Sequence, residues 1–165
     1  MSVGLFNCDR CGHCCRNLLQ PQDDGTLLGL ALLTAQEKAL FKDVDVVPYT
    51  AVGKDSPREI LMYQVKNNVC PHINRNNECL IYSKRPLACR AYPIVNTIGK
   101  KIVDLECPQV SKYTPDELRQ VGFPDELGEA MTIINKLIKK SLRKEHGNHT
   151  LWRFDVATKK WHIEH

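Results

Sequence analysis

Apolar positions recur along this chain with two periods, and the two predict different elements. Leu127, Ala130, Met131, Ile134, Leu137, Ile138, Ser141 and Leu142 fall at three- and four-residue steps, one stripe of an amphipathic helix. That pattern predicts a helix over Asp125–His146 with Gly147 as its C-cap. Its other side carries Lys136, Lys139, Lys140, Arg143 and Lys144. Cations there sit favourably near a helix C-terminus, and they could also meet an acidic protein partner. Elsewhere β-branched and aromatic residues collect in short runs. Asp45–Val52 and Arg58–Val65 flank Gly53-Lys-Asp-Ser-Pro57 and predict a hairpin. Pro93–Ile98 and Lys101–Leu105 do the same about Gly99. Leu151–Val156 and Lys160–Ile163 predict a terminal hairpin, with Trp152 and Trp161 available to cover a core.

Cap signals place the shorter helices. Thr34-Ala-Gln-Glu37 is a capping box opening a helix through about Lys42. Thr114-Pro115-Asp116-Glu117 opens another, ended by Gly122 and Pro124. Ser83 with Pro86 predicts a brief helical turn before Cys89, and Asn17–Gly25 reads as a polar loop. The sum is an α+β fold. It is expected to be one small cysteine-rich domain over 1–165, with short strands and hairpins, one long C-terminal amphipathic helix and a terminal hairpin. In that reading a cysteine-cluster module over 6–108 carries the part over 114–165 packed on it.

Composition narrows the class. The chain has 165 residues, enough for one domain with a core. A net charge of +4 is too modest to predict nucleic-acid binding. The longest apolar run, Leu27–Leu33, is far short of the roughly 18 residues of a membrane span. Met1–Phe6 has no features of a secretory signal, so a cytoplasmic protein is expected. That matters for the cysteines. Eight of them in a secreted chain would read as disulfides, whereas in a reducing compartment they read as metal ligands.

Four of the eight lie in Cys8-Asp-Arg-Cys11-Gly12-His-Cys14-Cys15. Two-residue gaps let successive thiolates turn toward one point, and Gly12 permits the positive φ such a turn needs. The other four are Cys70, Cys79, Cys89 and Cys107, with no second C-x2-C pair among them. Zinc sites usually use two such pairs. Three cysteines at C-x2-C-x2-C plus one remote cysteine before proline is instead the pattern of [4Fe–4S] loops, and both Cys70-Pro71 and Cys107-Pro108 have that form. Iron–sulfur therefore stands ahead of zinc on spacing. Eight thiols could serve two four-ligand sites, with Cys79 and Cys89 joining Cys15 in a second, or one site plus reserve, with Cys15 a free thiol. His13 and His72 could each replace a thiolate, although an outer or exposed position suits them better. Arg10, Arg16, Arg85 and Arg90 lie beside cysteines in sequence and could offset thiolate charge or donate hydrogen bonds to sulfur.

These residues resemble the signature of the CxxCxxCC zinc- or iron-chelating family, the YkgJ-type cysteine cluster proteins. The likeness continues through Cys70-Pro71, Cys79-Leu-Ile-Tyr82-Ser-Lys-Arg85-Pro86-Leu-Ala-Cys89-Arg90-Ala-Tyr92-Pro93 and Cys107-Pro108, so it covers about 6–108. The resemblance implies a small cytoplasmic protein binding metal or an iron–sulfur cluster through Cys8, Cys11, Cys14, Cys15, Cys70, Cys79, Cys89 and Cys107, with Arg85 and Arg90 alongside. Larger relatives, the flagellin lysine methylases, join this module to methyl transfer. No Gly-rich motif for a nucleotide or S-adenosylmethionine occurs here. The readings are thus a redox or metal-binding module, an enzyme using the centre in group transfer, or a structural zinc domain whose long helix docks a partner. One placement follows from geometry. The Cys8–Cys15 loop spans at most about 25 Å extended, so Cys8, Cys11 and Cys14 are expected within roughly 7 Å of at least one of Cys70, Cys79, Cys89 and Cys107, with Cys70 and Cys107 the better candidates.

Overall fold

The computed structural model describes residues 4–97, 100–143 and 149–164. In chain order its helices and strands are α1 (His13–Arg16), β1 (Gln20–Pro21), β2 (Leu27–Leu28), β3 (Leu30–Leu32), α2 (Ala35–Lys38), β4 (Val46–Gly53), β5 (Glu59–Val65), α3 (Leu87–Ala91), β6 (Ile94–Thr97), β7 (Lys100–Val103), α4 (Pro115–Gln120), α5 (Asp125–Arg143), β8 (Thr150–Asp155) and β9 (Lys160–Ile163). Short 3-10 turns precede β4, α3 and α4. The protein is α+β, as the periods require. It falls into two compact units, Met1–Cys14 with His72–Asn135, and Cys15–Pro71 with Lys136–His165. The expected turn at Gly99, Lys144, the helix end at His146 and its cap at Gly147 lie outside the described residues.

The second unit is built on a five-stranded antiparallel sheet of order β3-β5-β4-β8-β9. The β4–β5 hairpin forms where its composition places it, with a register shift around Tyr49 next to Pro48, whose missing N–H cannot complete a ladder. The terminal hairpin forms and joins the sheet. Its first strand pairs with β4, placing Ala51 opposite Trp152, so it widens the sheet by two strands. Trp152 donates its Nε1–H to the Gly53 carbonyl at 3.1 Å, and Trp161 packs edge-on against Phe154.

The sequence reading did not include β3. Leu30–Leu32 pairs with Tyr63–Val65, and Gly29 permits the approach, since a Cβ there would lie 1.9 Å from the Val65 carbonyl oxygen. Gln64 locks this region. Fully buried, it accepts from Gly29 N–H at 2.6 Å and donates to the carbonyls of Pro48 at 2.8 Å and Phe154 at 3.0 Å. Leu32, Ala51, Val52 and Val65 supply buried apolar surface. The Thr34 capping box is present, Thr34 Oγ1 accepting from Glu37 N–H at 3.1 Å. Its helix stops at Lys38 rather than Lys42, because Lys42 is already extended and the chain turns toward β4.

The first unit centres on buried Phe6, Cys107, Val110, Val121 and Leu127, with Tyr92, Ile94, Val103, Tyr113, Leu118 and Phe123 against them. Phe6 donates its N–H to the Gly122 carbonyl at 2.7 Å, and Leu5 forms a parallel bridge with Gly122. The Thr114 cap and Pro115 start α4 as the sequence indicates, with the reciprocal Glu117 bond in place. The stripe of α5 is buried at Leu127, Ala130, Met131 and Ile134. At 19 residues α5 is the longest helix among the described residues. Lys136, Lys139 and Lys140 are exposed on it. Among the described residues no helix is long and apolar enough to cross a membrane.

Candidate metal centre

The Cys8–Cys14 loop is shaped by its own small residues. Asp9 accepts from Cys11 N–H at 3.2 Å, a side-chain turn within the first C-x2-C step. Arg10 (φ 55°) and Gly12 (φ 77°) then take left-handed backbone conformations that coil the chain before α1. Gly12 lies against Asn77: a Cβ there would stand 2.9 Å from the Asn77 side chain. Cys8 and Cys11 are exposed and Cys14 is half-buried.

The later cysteines come from differently built places. Asn74 organises the loop before Cys79, its Oδ1 accepting from Asn76 N–H and Glu78 N–H, both at 2.9 Å, and its amide donating to Glu78. Cys79 itself bridges to Ile73. Cys89 lies on α3, half-buried between buried Leu87 and Ala91. Cys107 is buried in the Phe6 cluster, just beyond the β6–β7 hairpin that the sequence predicts will deliver it. Its N–H donates to the Asp104 carbonyl at 3.3 Å, and its carbonyl accepts from Ser111 N–H at 3.0 Å.

Cys107 feels the charge of the loop's Cys8 and Cys11. The Gln109 side-chain amide donates to the Asp9 carboxylate, tying the first C-x2-C step to the segment after Cys107. Burial pushes the Cys107 thiol up, and the nearby Cys8 and Cys11 sulfurs add to this. Backbone N–H groups of Val110 and Gln109, donating to the sulfur, work the other way. Tyr92 joins Cys14 to the same neighbourhood. Its hydroxyl is pushed well above the ordinary range by burial first, then by Asp104, Cys107 and Cys14.

Cys15 and Cys70 belong to the second unit, where Cys70 N–H donates to the Cys15 carbonyl at 2.7 Å. No disulfide joins the cysteines among the described residues. His13 and His72 are half-buried. Arg85 and Arg90 both pair with Glu126 on α5, at 3.3 and 3.5 Å. Sequence reasoning missed Asp9, Gln109, Asn74, Tyr82 and Glu126. Tyr82 stands inside the motif and Gln109 directly follows Cys107-Pro108, so adjacency could have drawn attention to both. Nothing marked Glu126.

Among the described residues, no three Cys, His, Asp or Glu side chains stand together in a ligating arrangement. The donor chemistry nonetheless suits a soft or borderline metal. Thiolates bind zinc and iron–sulfur centres, and N–H groups aimed at sulfur stabilise the deprotonated form that ligation needs.

A cysteine loop coiled by left-handed residues and fastened to a buried Cys-Pro turn defines a cysteine-rich metal-chelating module. The chain belongs to the CxxCxxCC family, described as a putative zinc- or iron-chelating domain, whose model matches residues 7–111. No curated protein and no solved structure matches it.

Proposed function

We propose that Cys8, Cys11, Cys14 and Cys107 are the ligands of one four-thiolate centre, and that this centre is a [4Fe–4S] cluster in a redox or metal-binding module. The observation that carries the reading is the Gln109–Asp9 bond, which holds the only C-x2-C-x2-C run against one of the two Cys-Pro turns. A bound cluster would supply one-electron redox chemistry, and zinc in the same four thiolates would supply structure instead. The chain's own part is to gather the donors. The left-handed pair Arg10 and Gly12 coils the loop, Asp9 fixes Cys11, and the N–H groups of Gln109 and Val110 support sulfur charge on Cys107. Loading requires the exposed Cys8 and Cys11 thiols to turn inward toward Cys107.

Anaerobic purification followed by iron, sulfide and zinc analysis tests this directly. Stoichiometric iron and sulfide with absorbance near ~400 nm is the expected result. Cys107→Ser should lose most of the metal, and Cys79→Ser should keep it. Zinc without sulfide would replace the cluster with a zinc site. Retention of metal by Cys107→Ser would refute the ligand set.

A further inference from the structure

We propose that Tyr82 is a positioning residue for the cysteine loop: its ring is the anchor that Arg10 closes on, and this latch holds the Cys8–Cys11 turn ready for metal. Its metal-related part rests on the function proposed above. Arg10 sits between two exposed cysteines in a left-handed conformation, φ 55°. For a residue with a Cβ that conformation is unfavourable, so a compensating contact is needed to hold it. The guanidinium of Arg10 supplies one, lying 4.3 Å from the centroid of the Tyr82 ring. A cation over an aromatic face at that range is attracted by the ring quadrupole.

The ring is in turn held from elsewhere. Arg85 stacks 3.9 Å from the same centroid, and its Nε–H donates to the Tyr82 carbonyl at 3.1 Å. Its other end pairs with Glu126, the carboxylate that Arg90 also meets. A continuous run of contacts therefore joins the loop to α5 and α3: Arg10, Tyr82, Arg85, Glu126, Arg90. Tyr82 remains 41% exposed, which is poor use of a large ring as core. As an anchor for two guanidiniums the exposure is expected, since each cation keeps access to water. The latch is separate from the Gln109–Asp9 bond, so neighbouring residues Asp9 and Arg10 are fastened to different segments.

The test uses the full chain with Tyr82→Leu, Tyr82→Phe, Arg10→Gln and the double variant Tyr82→Leu/Arg10→Gln. Two readouts are needed. The first is amide exchange over residues 8–12 in metal-free protein, where Cys11 N–H reports the turn directly. The second is the rate at which cobalt(II), followed by its thiolate absorbance, is lost to a chelator. Tyr82→Leu and Arg10→Gln should each speed both by about two- to fivefold, Tyr82→Phe should resemble wild type because it keeps the ring, and the double variant should be no worse than either single change. Wild-type exchange in Tyr82→Leu, or additive effects in the double variant, would overturn the latch. Faster exchange with unchanged cobalt loss would overturn its role in metal retention. Should Tyr82→Leu misfold, Arg10→Gln on the exposed loop and Tyr82→Phe decide the matter. If wild-type protein takes up no cobalt, the proposed metal function fails, while the exchange result still decides whether the latch exists.

Discussion

Gly12 shows how much of the site rests on single positions. Its φ of 77° is open to glycine and costly to any residue with a Cβ, and the added carbon would also press on Asn77 at 2.9 Å. Gly12→Ala should therefore lower stability by about 2 kcal/mol, read from denaturant unfolding, and should slow metal uptake. An unchanged midpoint would mean that the loop is not under this constraint. The role of Gly12 was legible from sequence, because a glycine inside a cysteine run has few other uses. The partners of its neighbours were not. Asp9 meets Gln109, and Arg10 meets Tyr82, across separations that no local pattern encodes. Arg85 and Arg90 are a further case: both pair with Glu126 on a distant helix, a partner that their closeness to cysteines in sequence does not indicate.

Among elements, the legible ones are those specified by their own residues. Both capping boxes form because donor and acceptor are three residues apart. The α5 stripe buries its Leu127, Ala130, Met131 and Ile134 face for the same local reason. The β3 strand escaped because Leu27–Leu33 is a plain apolar run without alternation, and such a run does not say which strand it will join. What fixes its place is largely Gln64, one polar residue serving three backbone groups from β4, β8 and the Gly29 approach. Gln64→Leu keeps the volume but leaves Gly29 N–H and two carbonyls without this partner. The expected loss is roughly 3 kcal/mol in urea unfolding, with faster amide exchange at Gly29. A loss under about 0.5 kcal/mol would show that water replaces the amide readily.

For the molecule as a whole, the chain leaves the first unit after Cys14, returns at His72 and leaves again after Asn135. The interleaving divides the cysteines six and two, and it was invisible to any reading that took the cysteine-rich stretch as one contiguous module. It also predicts where metal should matter. Removing metal from the loaded protein should open protease sites over residues 8–14 and around 107–112, while the β4–β5 hairpin and the terminal hairpin keep their protection. Equal loss of protection in the sheet would contradict a centre confined to the first unit.

The tie between Leu5–Phe6 and Gly122 has a consequence for how the protein is born. Synthesis reaches Cys8, Cys11 and Cys14 well before Cys107, Gln109 and Gly122. Throughout that interval the nascent chain carries a run of accessible thiols without its backbone tether and, on the ligand set proposed above, without Cys107. Until those later residues emerge, the thiols need guarding against oxidants and stray ions.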